Sequence, residues 1–417
     1  MVFLNRRSIK AKLLGILRDA DDWVFERFGR QRILFVVTDG YGFACEAPVI
    51  RLLLKSGKAM VRTTTDRNQR ISRLAFASSD DRELFFRWRL DTRIAALAKW
   101  HVVVYSHLCA FYPLRRALKA FLHHGPGFGS GGGTAAAQAC EIYLGLSGAE
   151  RVYLEEQNPG LFGRDRAFFS VGFPKADALC NGAYPRERTL REFGLDDRKT
   201  LLIVSQWNVG SLLRTLEGLA FETLAAAFPD WNVVQTGHPW LWEVRPNIDQ
   251  AWQTNLVATL RKVEERFPNA RFLPEVPAEP LAAAADLLVA DGTSVVTTFA
   301  LLDRPIVYFD NGKRTPGRKH VADAYREAAH IFRSPADLVD ACRAAIAAPE
   351  TRRVERHGLR EMYYANAGRA SEVTAKVLLD IGRVCSTRSA SWERVLDLGE
   401  SSVADRAGQV VSGVSCS

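Results

Sequence analysis

The first half of the chain alternates short apolar runs with helical stretches and glycine-containing loops. Its clearest unit starts with the apolar run 32–38, passes through a loop at 39–43 and a helix over 46–56, and ends in a strand at 59–64. Strand, glycine-rich turn, helix and strand in this order predict a doubly wound α/β sheet. Further apolar runs predict strands at 102–105, 120–122, 152–154 and 168–171.

The second half repeats this alternation after the polar segment 181–199. Strands are predicted at 200–204, 232–234, 270–272, 287–289 and 305–308, and helices over 211–227, 251–266, 336–347 and 370–384. The pattern predicts an α/β fold of two Rossmann-like domains, 30–185 and 195–384, facing a central cleft. The Ser- and Gly-rich segment 386–417 is predicted to be disordered.

Residues 1–29 are predicted to form an N-terminal amphipathic helix. Apolar side chains recur at helical spacing over 8–28, and basic residues gather at its start. Such a helix either packs on the first domain or lies on anionic lipid. The chain shows neither a run of about 18 apolar residues nor the features of a secretory signal. We therefore expect a cytoplasmic protein, with peripheral contact at the inner face of the membrane as an open alternative.

The composition is that of a soluble globular protein, with 47% hydrophobic and 25% charged residues. These values exclude a disordered chain, a collagen-like fibre and a coiled-coil rod. The net charge of +9 favours an anionic partner: nucleic acid, nucleotide phosphate or an acidic membrane. Because the basic residues are dispersed, nucleic-acid binding is not expected. The seven scattered cysteines form no CxxC pair or zinc spacing, so neither a metal site nor a cofactor is predicted.

Three loops that follow predicted strands carry candidate chemistry. The first has His123 and His124 before a glycine-rich run that includes Gly125 and Gly127, where the histidines either act as a base or phosphate ligand or are only polar rim residues. The second is Gly237-His238-Pro239, in which proline fixes the chain directly after an imidazole that is either held against a ligand or is a structural histidine. The third is Asp291-Gly292-Thr293-Ser294, whose hydroxyls and helix-start amides suit a phosphate or simply cap a helix. Asp39 and Gly40, after the first strand, complete the set of candidate positions.

Several motifs, taken in order, carry a family resemblance that covers most of residues 30–380. They are Phe121-Leu-His-His-Gly125, Val171-Gly-Phe-Pro-Lys-Ala-Asp177, Gly237-His-Pro239, Ala290-Asp-Gly-Thr-Ser294, Arg304-Pro-Ile-Val-Tyr308 and Ala367-Gly-Arg-Ala-Ser371. Together they resemble the CDP-glycerol glycerophosphotransferase family, the teichoic-acid and capsule polymerases with a GT-B fold. The resemblance implies that His124 is the base acting on an acceptor hydroxyl. It also implies that His238 contacts the donor pyrophosphate, while Thr293 and Ser294 hold phosphate.

The chain departs from the family pattern at several motif positions. His123 stands where the family has Trp, Gln235 or Thr236 where it has Arg, and Asp291-Gly-Thr-Ser294 where it has Asp-Tyr-Ser-Ser. Losing an arginine removes a favourable charge for a pyrophosphate, which leaves a CMP-linked sugar as an alternative donor. Asp291 either orients a ligand hydroxyl or caps a helix.

The leading hypothesis is a transferase that moves a polyol phosphate or sugar from a cytidine nucleotide donor to a cell-surface polymer or lipid-linked acceptor. One alternative is a GT-B glycosyltransferase that uses CMP-Kdo or another nucleotide sugar. An isomerase resembling the UDP-sugar 2-epimerases and a non-catalytic nucleotide- or polymer-binding protein are further alternatives.

Overall fold

A computed structural model of the chain describes residues 6–28, 30–66, 76, 78–107, 109–125, 132–163, 165–244, 248–274, 276–312, 319–385 and 394–396. The strands are β1 Gln31–Val37, β2 Ala59–Thr65, β3 Val102–Tyr105, β4 Leu118–Leu122, β5 Ile142–Gly145, β6 Ala167–Ser170, β7 Thr200–Ser205, β8 Asn232–Gly237, β9 Ala270–Phe272, β10 Leu287–Ala290, β11 Ile306–Phe309 and β12 His330–Phe332. The helices are α1 Arg6–Phe28, α2 Gly40–Ser56, α3 Ser79–Trp88, α4 Thr92–Leu97, α5 Gly132–Ala139, α6 Gly148–Gln157, α7 Ala176–Cys180, α8 Arg186–Glu192, α9 Leu212–Leu216, α10 Leu219–Ala227, α11 Gln250–Arg266, α12 Ala278–Ala284, α13 Val295–Leu301, α14 Lys319–Glu327, α15 Pro335–Ala347, α16 Arg353–Tyr363 and α17 Ala370–Cys385.

The chain forms two compact units, and each contains one six-stranded parallel sheet. Unit 1 contains the chain up to Gly125, residues 131–177 and the chain from Ala365 onward. Its strand order is β2-β1-β3-β4-β5-β6. Apolar residues of β1, β3 and β5 are buried along the whole strand, as in a sheet covered on both faces.

Unit 2 contains residues 178–364, with the strand order β12-β11-β10-β7-β8-β9. In unit 1, β2 lies on one side of β1 and β3 on the other; in unit 2, β8 lies on one side of β7 and β10 on the other. The strand order therefore reverses at β1 and at β7. Loops at the carboxyl ends of the strands meet at such reversals, which are the usual ligand-binding positions of open α/β sheets. The predicted fold class, two doubly wound α/β units, is confirmed.

Several predicted elements differ from the observed ones. Residues 152–154 lie in helix α6 and not in a strand, because the Ser147 hydroxyl accepts a hydrogen bond from Glu150 N and starts a helix there. Strands β5 and β12 were not predicted. Helix α2 begins at Gly40 and not at residue 46, since the Asp39 carboxylate caps its first turn.

The C-terminal helix α17 belongs to unit 1, although the sequence places it in the domain 195–384. Its residues Leu378 and Ile381 pack in the apolar core around β1, α2 and the neighbouring strands. Most of the predicted disordered tail 386–417 lies outside the described residues. Within it, Val395 is buried in the core of unit 1, which contradicts the prediction of disorder at that position.

Hydrogen bonds fix the return of the chain to unit 1. The Asp177 carboxylate accepts from Ala370 N at 2.9 Å and from Ser371 N at 2.6 Å, and so caps α17. The Ser371 hydroxyl donates to Pro174 O at 3.2 Å. Two of the motifs singled out in the sequence, 171–177 and 367–371, are therefore joined to each other in the structure.

The N-terminal helix α1 packs on unit 1. Asp21 Oδ1 lies 2.5 Å from Arg32 Nη1, and the ring of Phe25 stacks on His101 with 4.3 Å between centroids. Ile16, Leu17 and Trp23 nevertheless remain 64%, 63% and 59% exposed. Among the described residues, none of the helices has both the length and the apolar character that crossing a membrane requires.

Candidate functional site

The carboxyl edge of the unit 1 sheet is organised around the start of α2. Asp39 follows β1, and its Oδ1 accepts from Gly42 N at 2.6 Å. Gly42 lets α2 approach β3 closely, because a β-carbon on it would lie 2.8 Å from Ser106 Oγ and 3.3 Å from His107 Cε1, and these side chains would have to move. The predicted position Gly40 is the buried first residue of α2. Asp39, through its carboxylate, and Gly40, as the first helical residue, thus fix the start of α2 at this edge.

Two histidines stack at this edge. His107 follows β3 and His124 follows β4, and their ring centroids are 3.7 Å apart with 20° between the planes. His124 Nδ1 lies 2.8 Å from Ser106 O. Because a carbonyl oxygen only accepts, Nδ1 carries a proton, and in the neutral ring Nε2 then has an unprotonated lone pair. His124 therefore has the tautomer that a general base requires.

The surroundings keep the His124 ring neutral. Burial, together with the neighbouring His107 and His123, lowers the pKa of His124 to about 4, against the opposing effects of the Ser106 carbonyl and Asp39. Burial also lowers the pKa of His107, against the charge of Asp39, whose Oδ2 lies 3.6 Å from His107 Nε2. The unprotonated form of His124 is thus the dominant one at neutral pH.

Sequence reasoning missed His107 and Glu46. Glu46 lies on α2 and is fully buried. Burial raises the pKa of its carboxyl well above the usual range; the charge of Asp39 also raises this pKa, and the Ser106 hydroxyl lowers it. The carboxyl therefore tends to keep its proton. Neither residue belongs to a recognisable motif, since their proximity depends on β3 lying between β1 and β4 in the sheet.

His123 has a different place from the one predicted. It is buried, with Nε2 2.8 Å from Tyr143 Oη and 2.5 Å from Glu150 Oε1. Glu150 also accepts from Leu146 N at 2.7 Å, so the network is internally satisfied. Of the two adjacent histidines, only His124 has the geometry of a base at the sheet edge, and His123 stabilises the interior.

The loop after His124 is described only up to Gly125, and the predicted position Gly127 lies outside the described residues. Gly125 is half-buried, and a β-carbon on it would lie 3.9 Å from Tyr41 Oη. Tyr41 in turn supports the ammonium of Lys175, whose Nζ is 3.9 Å from the ring centroid.

His238 lies at the carboxyl end of β8 in unit 2. Its backbone N donates to Ser205 O at 2.8 Å, and its Nδ1 accepts from Trp240 N at 3.2 Å. An accepting Nδ1 places the proton of the neutral ring on Nε2. His238 therefore has the opposite tautomer from His124 and can donate a hydrogen bond through Nε2.

The neighbours of His238 explain the Gly-His-Pro motif. A β-carbon on Gly237 would lie 2.7 Å from Leu241 Cδ1 and 3.2 Å from Ser205 O, so the close packing requires glycine. Pro239 is exposed and begins a 3₁₀ turn, Pro239–Leu241. Trp240 lies beside His238, with 5.5 Å between ring centroids.

Of the two predicted roles of Asp291, the structure shows helix capping, but of α9 and not of α13, the helix that follows it. It is buried at the end of β10, and its carboxylate accepts from Ser205 Oγ at 2.8 Å, from Gln206 N at 3.0 Å and from Leu212 N at 2.7 Å. These donors extend from the last residue of β7 to the first residue of α9. Asp291 therefore holds the β7 loop at the sheet reversal, and it neither caps α13 nor faces a ligand with these oxygens.

The rest of the third loop has polar groups at the start of α13. Thr293 is buried, and its Oγ1 accepts from Val295 N at 3.4 Å. Ser294 occupies the N-cap position of α13 but makes no capping bond through its side chain, and Gly292 and Ser294 are both half-buried. Helix capping therefore explains the hydrogen bond of the Thr293 hydroxyl, but the Ser294 hydroxyl does not cap α13.

We expect Asp291→Ala to destabilise unit 2 by about 3 kcal/mol or more, because three buried donors lose a charged acceptor. Urea unfolding followed by circular dichroism measures the change. Asp340→Ala, which removes an 85% exposed carboxylate, is the matched control and should change stability by less than about 0.5 kcal/mol. Equal midpoints for the two variants would contradict the assigned role.

Among the residues that the structure describes, no group of three or more His, Cys, Asp or Glu side chains is arranged to hold a metal ion.

Two parallel six-stranded sheets with these strand orders are typical of a GT-B-like protein, and solved structures agree. The wall teichoic acid polymerase TagF matches with a TM-score of 0.59 at 12% identity, covering 90% of this chain and 95% of the TagF chain. UDP-GlcNAc 2-epimerase from Neisseria meningitidis matches with a TM-score of 0.58 at 13% identity, covering 84% of this chain and all of that chain. At these identities the likeness shows the fold.

A curated relative from Phocaeicola vulgatus is 29% identical over 177 residues. It is the UDP-N-acetylglucosamine--N-acetylmuramyl-(pentapeptide) pyrophosphoryl-undecaprenol N-acetylglucosamine transferase. The match covers 41% of this chain and 40% of the relative.

The family itself is shown by residues 157–379, more than half of the chain. They match the family described as CDP-Glycerol:Poly(glycerophosphate) glycerophosphotransferase. The chain belongs to this family, so the resemblance predicted from the motifs is confirmed, and the family is one of transferases, as predicted. The matched residues include Lys175, His238 and Asp291, whereas His124 precedes them.

Proposed function

We propose that this protein transfers glycerol phosphate from CDP-glycerol to a hydroxyl group of a cell-surface polymer or lipid-linked acceptor. Membership of the glycerophosphotransferase family supports the donor and the class of acceptor. The observation that carries the proposal is His124, whose Nδ1–H on Ser106 O leaves Nε2 ready to accept a proton. A base of this kind at the carboxyl edge of a sheet suits activation of an acceptor hydroxyl.

The proposed step uses the two histidines in opposite roles. His124 Nε2 takes the proton of the acceptor hydroxyl, whose oxygen forms a bond to the phosphorus that bears glycerol. The bond from this phosphorus to the bridging oxygen breaks, and CMP leaves with the electron pair. His238, as an Nε2–H donor, stabilises the charge that develops on the donor phosphates. The Ser294 hydroxyl and Thr293 are proposed as further donor-side contacts.

The donor is tested by incubating purified protein with CDP-glycerol, CMP-sugars and UDP-sugars and measuring nucleotide release with and without acceptor. We expect acceptor-dependent CMP release from CDP-glycerol. Release of UDP, or conversion of a UDP-sugar in the absence of any acceptor, would contradict the proposal.

A second candidate is a GT-B glycosyltransferase that uses a nucleotide sugar. The match to the Phocaeicola vulgatus N-acetylglucosamine transferase supports it, and so does the absence of arginine at positions 235 and 236, directly before Gly237. The linkage in the product separates the two candidates, since a glycosyltransferase forms a glycosidic bond and the proposed reaction forms a phosphodiester.

We further propose that the protein acts at the inner face of the membrane, held there by α1. The helix is fixed to unit 1 through Asp21 and Phe25, while Ile16, Leu17 and Trp23 are exposed, as expected of an interfacial helix. A lipid-linked acceptor would then be presented at the surface where the enzyme lies.

We expect the double variant Ile16→Glu/Leu17→Glu to reduce sedimentation of the protein with anionic vesicles by about tenfold, because it removes apolar contact and adds negative charge. Val354→Glu, which changes an 81% exposed valine in unit 2, is the matched control. Equal sedimentation of the double variant and the control would show that α1 does not bind the membrane.

A further inference from the structure

Lys175 is the member of the motif 171–177 whose ammonium lies over an aromatic ring of another element. Gly172 has a φ of +92°, and a β-carbon on it would overlap Ala365 O at 1.9 Å. Pro174 O and the Asp177 carboxylate accept hydrogen bonds from the start of α17. These neighbours dock the returning C-terminal segment, whereas Lys175 extends to the ring of Tyr41.

The contact of Lys175 with Tyr41 joins two motifs at one sheet edge. Lys175 follows β6, and its Nζ lies 3.9 Å from the Tyr41 ring centroid. Tyr41 is in the first turn of α2, is 43% exposed, and places its hydroxyl beside Gly125, the residue after His124. The cation–π contact restricts the ammonium to the ring face. A positive charge and a phenolic donor are thereby held near the proposed base.

The chemistry of this pair suits a phosphate group. An ammonium offers three hydrogen-bond donors and the phenol one more, and charge-assisted bonds to phosphate oxygens are strong. Asp39, on the other side of Tyr41 in sequence, lies beside His107 and repels anions there. The ammonium therefore makes the Lys175–Tyr41 pair the favourable position for a phosphate at this edge.

We propose that Lys175 and Tyr41 form a subsite for a phosphate or phosphodiester of the acceptor, next to the hydroxyl that His124 deprotonates. This inference rests on the proposed function and assigns to Lys175 and Tyr41 the contact with a phosphate of the acceptor. The acceptor is favoured over the donor as the source of the phosphate because Lys175, Tyr41 and His124 all belong to unit 1. The proposed donor contacts, including His238, belong to unit 2.

Calorimetric titration of the full chain with glycerol phosphate tests the subsite without any turnover. We expect Lys175→Met to weaken binding about 10- to 100-fold, the loss typical of a charge-assisted contact. Lys175→Arg should retain most of the affinity, and Tyr41→Leu should weaken binding because the platform is lost. Lys199→Met is the matched control, since Lys199 makes a similar contact with Trp231 in unit 2.

Steady-state kinetics with CDP-glycerol and a glycerol phosphate oligomer separates the two sources of phosphate. We expect Lys175→Met to raise the KM for the acceptor and to leave the KM for the donor unchanged. A raised donor KM, or unchanged binding of glycerol phosphate in a folded Lys175→Met protein, would overturn the subsite. If CDP-glycerol supports no transfer, the proposed function fails while the titration still decides the subsite.

Discussion

Replacing His124 with asparagine should lower kcat for transfer from CDP-glycerol by about 10²- to 10⁴-fold, the usual contribution of a general base. The side chain of asparagine still reaches Ser106 O but has no nitrogen at the Nε2 position. Binding of the donor should change little, because the His124 contacts lie in unit 1. The measurement is initial rates of CMP release at saturating donor and acceptor.

His101→Asn is the matched control for this experiment. Burial and the charges of Arg32 and Lys99 lower the pKa of His101 to about 4, the value that His124 also has. His101, however, precedes β3 and lies at the opposite end of the strands, where its Nδ1 accepts from Arg32 N at 3.0 Å. The base assignment fails if His101→Asn loses as much activity per folded molecule as His124→Asn does. It also fails if the kcat of His124→Asn is within threefold of the wild-type value.

The pH dependence follows from the same pKa. Because kcat/KM reports groups of the free enzyme, the acid limb of its pH profile should lie near pH 4 and not at the ordinary histidine value of 6.5.

The stability of the fold also depends on the lowered pKa of His124. The unfolded chain binds the proton first as pH falls below 6.5, so the free energy of unfolding decreases between pH 6.5 and about 4. Circular dichroism at each pH must therefore confirm that the protein is folded, and an acid limb at pH 6.5 would contradict the environment assigned to His124.

The second large effect is expected at His238. We expect His238→Asn to lower kcat by about 10²- to 10³-fold, as for the loss of a donor to developing phosphate charge. The Asn oxygen can still accept from Trp240 N, so the 3₁₀ turn at Pro239–Leu241 should persist. Near-wild-type stability by urea unfolding, together with the reduced rate, would assign the loss to Nε2.

His238→Ala distinguishes the two functions of the ring, because it removes both the Nε2 donor and the Nδ1 acceptor for Trp240 N. It should be as inactive as His238→Asn and measurably less stable. Full activity in the asparagine variant would show that His238 only supports the turn, and the donor-side proposal would then lose its main residue.

The sequence was sufficient for most strands, since strands buried on both faces appear as continuous apolar runs. It was insufficient where a helix and a strand have similar patterns. Residues 152–154 are apolar enough for a strand, and the cap at Ser147 makes them helical. The packing of α17 on unit 1 could not be predicted from the sequence either, because its cap, Asp177, is almost two hundred residues away in the chain.

For the candidate site, the sequence located the loops but not the role of each side chain. His123 and His124 are adjacent, yet one bonds to Glu150 in the interior and the other to Ser106 at the sheet edge. For Asp291 the sequence left a ligand contact and a helix cap open, and its carboxylate accepts hydrogen bonds from Ser205 and from the first residue of α9. Such assignments depend on which strands are neighbours, and local sequence does not contain that information.

Phosphorus NMR of the purified chain with CDP-glycerol and a glycerol phosphate oligomer tests whether the protein transfers glycerol phosphate. We expect one new phosphodiester for each CMP released, at a rate that His124→Asn abolishes and His101→Asn preserves per folded molecule. Release of CMP without a new phosphodiester, or an unchanged rate in His124→Asn, would contradict this expectation.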